Sequence, residues 1–242
     1  DAALSLDDPL TAVPSIDETG HGTYTASLAA GSADPAEQFL GAAPEATLAV
    51  VKLKPAKKYL RDFYFIPQNA VCYQETDLML GLRYLNDLAD RLGLPFVLCV
   101  SVGSNMGGHI ATLPFPLLLE GYSTKANHIT VIGAGNEADQ RHHYYNEIQN
   151  TDDTKTVELR VGENVSGFSL ELWTEIPNIF SISIISPSGE NTSRIPFRVG
   201  AEAEIDFLFE RTRVSVDYRL LVERTSSELI LFRFDAPAPG IW

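Results

Sequence analysis

Cysteine is scarce in this sequence: only Cys72 and Cys99 occur among 242 residues. Two are too few for a disulfide framework. Cys99 sits in the apolar run Phe96-Val97-Leu98-Cys99-Val100, where a buried free thiol is expected. Nothing beside it would lower its pKa, so it is not read as a nucleophile. Positive charge is also short, with 18 Lys and Arg against 32 Asp and Glu and a net charge of −14. Nucleic acid and anionic membranes need clustered positive charge, so neither is expected as a partner. No apolar run approaches the roughly 18 residues of a membrane-spanning helix. The opening residues, Asp1-Ala2-Ala3-Leu4-Ser5-Leu6, lack the basic start and apolar core of a signal peptide, and Met is not the first residue. The start reads as internal to a longer chain. No D-x-[DN]-x-[DN]-G loop occurs, so no cofactor is expected; the many carboxylates leave calcium open without a motif to carry it.

What is present is a globular composition, 45% hydrophobic and 21% charged, in a chain long enough for one large domain or two modest ones. Two textures meet near residue 150. Before it, apolar runs alternate with helical spacing. Residues 48–53 read as a strand. Residues 76–91 carry Leu78, Leu82, Leu85 and Leu88 at helical spacing, continued by Leu92, with Gly93 closing the helix. Residues 96–100 and 129–134 read as buried strands. A helix within 113–125 is expected to start near Pro116, because proline is tolerated only in the first turn. Alternating strands and helices of this kind build a parallel α/β sheet. After the polar stretch 146–155 the period falls to two, in runs at 156–161, 168–174, 180–185, 203–209, 214–222 and 229–234. Turn signals such as Gly162-Glu163-Asn164 and Pro187-Ser188-Gly189 separate them. These short strands without helices predict an antiparallel β-sandwich or jelly roll, with another strand due to begin at Ile241-Trp242.

The segment of greatest chemical specificity is Asp17-Glu18-Thr19-Gly20-His21-Gly22-Thr23-Tyr24-Thr25-Ala26-Ser27-Leu28-Ala29-Ala30-Gly31. Glycines on either side leave the His21 imidazole open, and Ala26, Ala29 and Ala30 allow the following helix to pack closely. A histidine so displayed suits general-base work, which needs reach and a pKa near the operating pH. Three further segments follow in order: Gly41-Ala42-Ala43-Pro44-Glu45-Ala46, Val100-Ser101-Val102-Gly103 and Val131-Ile132-Gly133-Ala134-Gly135-Asn136-Glu137.

Together these segments, over about residues 17 to 140, resemble the subtilases, the subtilisin-like serine proteases of peptidase family S8. The resemblance implies a Ser/His/Asp endopeptidase acting on polypeptides. It makes His21 the triad base and Asn136 the side-chain donor to the oxyanion. It makes Ser101, Val102 and Gly103 the strand end that pairs with an extended substrate, and Ala134 and Gly135 the lining of the pocket before the scissile bond. Two elements of the pattern do not appear. No apolar strand ending in Asp-[ST]-Gly precedes His21, and no Gly-Thr-Ser-x-Ala segment follows Asn136. The closest run, Arg224-Thr225-Ser226-Ser227-Glu228, is charged and flanks a strand.

The β-rich block therefore reads as an insert between the asparagine and the serine of a parent protease. That arrangement resembles the Csp-type subtilases of spore-forming clostridia and related bacteria, which carry an inserted jelly roll. The expected architecture is α/β: a partial subtilisin-like core over residues 1–150, then an incomplete antiparallel insert over 151–242. Expected partners are a polypeptide substrate and the remaining segments of the parent protease. The fragment alone is expected to be inactive, and the alternative reading is a catalytically inactive, regulatory homologue. The resemblance points to a secreted or spore-associated setting, which the sequence itself does not fix. Adjacent His142 and His143, near Asp139 and Glu147, are too poorly spaced for zinc, and no metal site is nominated.

Overall fold

The structure, a computed structural model, describes residues 7–111, 113–200, 202–222 and 225–242. The reading of residues 1–6 lies outside them. The elements run α1 (His21–Ala30), α2 (Lys58–Phe63), α3 (Glu75–Leu92), β1 (Phe96–Val100), α4 (Pro114–Ser123), β2 (His128–Ile132), β3 (Arg160–Val161), β4 (Gly167–Glu175), β5 (Glu202–Phe207), β6 (Thr212–Leu220), β7 (Ser227–Asp235) and β8 (Gly240–Ile241). They fall into two compact units. The first comprises the described residues up to Lys54, with Tyr73–Ser101 and Ala126–Ile132; the second comprises Pro55–Cys72, Val102–Lys125 and Gly133–Trp242.

In the first unit the leucine spacing produces α3, which buries Leu82, Asn86 and Ala89. Gly93 ends the helix in the left-handed conformation at φ +64°, a geometry that costs a residue without Cβ little, and its amide returns to the Ala89 carbonyl at 2.9 Å. β1 and β2 pair in parallel, Val97 beside Ile129 and Cys99 beside Val131. Residues 48–53 differ from expectation, since they form no strand among the described residues. Val51 instead packs on α3 at Gly81, where an added Cβ would lie 3.0 Å from its Cγ1. Cys99 also differs: it is exposed, not buried. Alternation puts it on one face with Val97, Ile129 and Val131, all more than half exposed or classed exposed, while Leu98 on the other face is buried.

The second unit holds most of the core. α4 begins at Pro114 rather than near Pro116, and both prolines then occupy the first turn, where amides have no intrahelical partner. The antiparallel sheet has the order β4-β7-β6-β5, and β3 pairs with β8. Along β6, Thr212, Val214, Val216 and Tyr218 are buried while Arg213 and Arg219 are exposed, the alternation of a sheet with one core face. Val214, Val216 and Tyr218 join Ile230, Phe232 and Phe234 of β7, with Val161, Ile184, Phe207 and Trp242, in one cluster. Among the described residues the run 180–185 makes isolated bridges, Ile182 to Ile195 and Ile185 to Asn191, in place of a strand. Its ladder is interrupted because the Ile184 amide donates to the Thr192 hydroxyl at 2.9 Å, a side chain standing where a backbone carbonyl would continue the pairing. Ile241 and Trp242, at the position of the expected next strand, pair with residues 159–161, and the Trp242 ring packs edge-on to Phe207 and Phe234.

β7 is buried on both faces. Its outer face carries Leu229, Leu231 and Arg233, and in register with them β4 presents Trp173, Glu171 and Ser169. Arg233 donates through Nε to the Phe63 carbonyl at 2.9 Å and stacks over the Phe63 and Phe65 rings. The antiparallel sheet is thus a two-sided layer, with its hydrophobic core on one face and residues of the α2 segment on the other.

Candidate active site

His21 is the first residue of α1 and is exposed. The N-cap position is Gly20, at φ +79°, which has no side chain to cap the helix. Asp17 caps it instead. Its Oδ1 accepts the Gly20 amide at 2.8 Å, the Thr19 amide at 3.0 Å and the Thr19 hydroxyl at 3.2 Å; its Oδ2 accepts the amide and the hydroxyl of Thr23, each at 2.8 Å. The Thr23 amide, with these other donors, holds the carboxyl well below the usual carboxylate range, because they stabilise the charged form. Lys52 reaches the same turn, bonding the Ile16 carbonyl and standing 3.6 Å from Glu18.

At its other end α1 is closed by the small-residue run that follows it. The Gly41, Ala42 and Ala43 amides donate to the Gly31, Leu28 and Ala29 carbonyls at 2.8–3.0 Å, and the Gly31 amide to Ser27 at 2.7 Å. The closeness demands glycine: a Cβ on Gly41 would stand 2.9 Å from the Ala30 carbonyl carbon and from the Gly31 oxygen. The histidine helix is therefore fixed at its start by the Asp17 carboxylate and at its end by neighbouring backbone, with the His21 side chain exposed.

Ser101 leaves the carboxyl end of β1, and the Gly133–Asn136 segment leaves the carboxyl end of β2. The register Val100 to Ile132 puts those two strand ends side by side, the usual location of ligand sites in parallel sheets. Ser101, Gly103, Ala134, Gly135 and Asn136 are exposed and Val102 is half-buried. Gly135 is left-handed at φ +83° and turns the chain immediately before Asn136. His21 and Ser101 belong to the first unit; Val102, Gly103, Ala134, Gly135 and Asn136 belong to the second.

In the second unit the two loops that continue from these strand ends are joined. Glu137 Oε2 accepts the Asn105 amide at 2.8 Å and faces His142 Nδ1 at 3.2 Å; Asn105 comes first and His142 second in lowering its pKa. The His109 and His143 rings lie 4.4 Å apart. The adjacent histidines thus make different contacts, and no group of three or more potential metal ligands occurs among the described residues. β4 supports the first of these loops. Glu171 Oε2 accepts the Gly107 amide at 2.7 Å and Trp173 Nε1 at 2.8 Å, and Gly108 sits so close to the Trp173 ring that a Cβ there would approach it to 2.8 Å.

Sequence reasoning missed two sets of residues. Asp17 carried a local signal, an Asx-type turn with threonines at +2 and +6. Glu171 and Trp173 carried none, since their partners lie 64 and 65 residues away. Ser227, from the serine-containing run weighed as a nucleophile segment, opens β7 and is buried; Arg224 of that run lies outside the described residues.

The profile of the subtilase family matches residues 6–165. Among solved structures, the CspB protease of Clostridium perfringens is similar in fold, with a TM-score of 0.80 and 24% sequence identity, over 100% of this chain and 49% of that one. The chain spans about half the length of that protein. No curated protein sequence matches it.

Proposed function

The chain belongs to the subtilase family, and from that membership we propose that its parent protein is a serine endopeptidase working through an acyl-enzyme. His21 is the general base: it takes the proton of a serine supplied elsewhere in the parent chain and returns it to the leaving amine. Asn136 donates its exposed amide to the tetrahedral oxyanion, and Ser101, Val102 and Gly103 hold the substrate backbone. Ala134 and Gly135, both small, leave room for the side chain before the scissile bond. Residues 1–150 are the partial catalytic core, and residues 151–242 are an insert between the oxyanion asparagine and the nucleophile.

The observation that carries this reading is the display of His21: an exposed imidazole at the first position of a helix whose two ends are tied down by other residues. A base must reach its proton with little reorganisation, and this geometry meets that requirement. The carboxyl ends of β1 and β2 lend support, because they carry the two segments assigned to substrate and oxyanion.

The test uses the full-length parent, assayed for peptide hydrolysis and for labelling by a fluorophosphonate, which reacts with an activated serine. Turnover and labelling are expected, both lost in His21→Ala, with kcat lowered about 10²- to 10³-fold in Asn136→Ala. The isolated 242-residue chain is expected to show neither. A folded parent with neither turnover nor labelling establishes the inactive, regulatory homologue instead.

A further inference from the structure

We propose that Asp17 is a positioning residue for His21, acting as a two-handed clasp that fixes the turn on both sides of the base. This rests on the reading of His21 given above. One carboxylate oxygen binds Thr19 and Gly20, the two residues before His21; the other binds the amide and hydroxyl of Thr23, two residues after it. The histidine is therefore spanned by contacts to a single side chain. The N-cap Gly20 is left-handed and makes no side-chain cap, so among the described residues the task falls to Asp17.

The chemistry explains why an aspartate occupies the position. Its carboxylate offers acceptor sites on two oxygens, and this turn presents five donors. Its negative charge also complements the positive end of α1. An asparagine keeps one oxygen and converts the other into a donor, so it can accept on only one side of the turn. A glutamate places the oxygens one methylene too far from a turn whose bonds are already 2.8–3.2 Å long. The Thr23 amide and the other donors keep the group ionised across the range in which a histidine base works, so the clasp stays closed there.

Two measurements decide the matter. In the 242-residue chain, amide hydrogen exchange is compared between wild type, Asp17→Asn and Asp17→Ala, with α3 amides as the folding control. Asp17→Asn is expected to accelerate exchange about tenfold or more at one of Thr23 and Gly20 while sparing the other, and Asp17→Ala to accelerate both. In the parent protease, Asp17→Ala is expected to lower kcat by about 10²-fold with KM within about twofold, the signature of a misplaced catalytic group. Asp17→Asn is expected to fall between. A purely structural role would lower the amount of folded enzyme and leave kcat per active site, titrated by fluorophosphonate, unchanged. Unchanged exchange at Thr23 in both variants, or unchanged kcat per active site in Asp17→Ala, overturns the proposal. If the wild-type parent is inactive while Thr23 loses protection, the catalytic reading of His21 fails and the clasp stands.

Discussion

At the scale of single residues, the second unit contains a carboxyl group in an adverse setting. Glu228 is fully buried on the core face of β7. Its Oε2 accepts the Thr174 hydroxyl at 2.9 Å and the Phe180 amide at 3.4 Å, but its Oε1 has no hydrogen-bond partner among the described residues. Burial pushes its pKa up, against the pull of those two donors. Tyr218 on the neighbouring strand is pushed up to about 12, by its own burial first and by the Glu228 charge second. The sign follows from linkage. A carboxyl with a raised folded value contributes stability that is fully present below the ordinary value of about 4.3 and is lost as pH climbs through the folded value. Glu228→Gln is therefore expected to stabilise the second unit near pH 8 and to leave it little changed near pH 4. Chemical unfolding followed by tryptophan fluorescence reads this directly, since both tryptophans, Trp173 and Trp242, lie in that unit. Equal wild-type and variant stabilities at pH 8 would remove the burial argument. Asp17 has the opposite sign: its contribution is present above about pH 3.9 and fades as pH falls below it.

At the scale of elements, α1 shows how a helix with little amphipathic character is held. Among its residues only Ala30 is buried, so its stability rests on its ends rather than on a broad apolar face. The N-terminus depends on Asp17; the C-terminus depends on amides of residues 41–43 reaching its last carbonyls. Gly41→Ala puts a methyl group against backbone atoms of Ala30 and Gly31, which cannot rotate away. A loss of about 1–3 kcal/mol is expected for the first unit, measured as a lowered urea midpoint of the helical circular dichroism. Tryptophan fluorescence should not report it. The same proximity fits the small residues at 29–31 and 41–43, Ala-Ala-Gly and Gly-Ala-Ala, whose size lets the two backbones come within hydrogen-bonding distance.

At the scale of the whole molecule, the burial is uneven. The ten residues of the hydrophobic cluster all lie in the second unit, whereas the first leaves the Val97, Cys99, Ile129 and Val131 face of its parallel pair open. Parallel sheets are ordinarily covered on both faces, so this open face supports the proposal that further segments of the parent chain cover it. Cys99 is a built-in probe. In the 242-residue chain it is expected to react with a thiol reagent such as DTNB at close to the rate of an unhindered cysteine. In the folded parent it is expected to react at least about tenfold more slowly. Equal rates would mean that the face stays open and that the parent's remaining segments pack elsewhere.

The sequence alone determined whatever rests on short-range chemistry. The glycines around His21, the leucine period and terminal glycine of α3, the prolines that open α4 and the two-residue alternation of β6 each act within a few residues, so their effects can be read in order along the chain. The same locality carried the family resemblance, since its segments are strand ends and a helix start. Tertiary structure decided whatever depends on a partner far away. Residues 48–53 have the composition of a strand but pack through Val51 on α3 at Gly81, Cys99 is exposed because nothing among the described residues covers its face, and residues 180–185 lose their ladder to a threonine hydroxyl. Glu171 and Trp173 look like ordinary strand residues until register places them on the outer face, where they hold the loop at Gly107 and Gly108. Hydrogen-bond pairing across tens of residues leaves no periodicity to detect, and that is why these features emerged only from the folded chain.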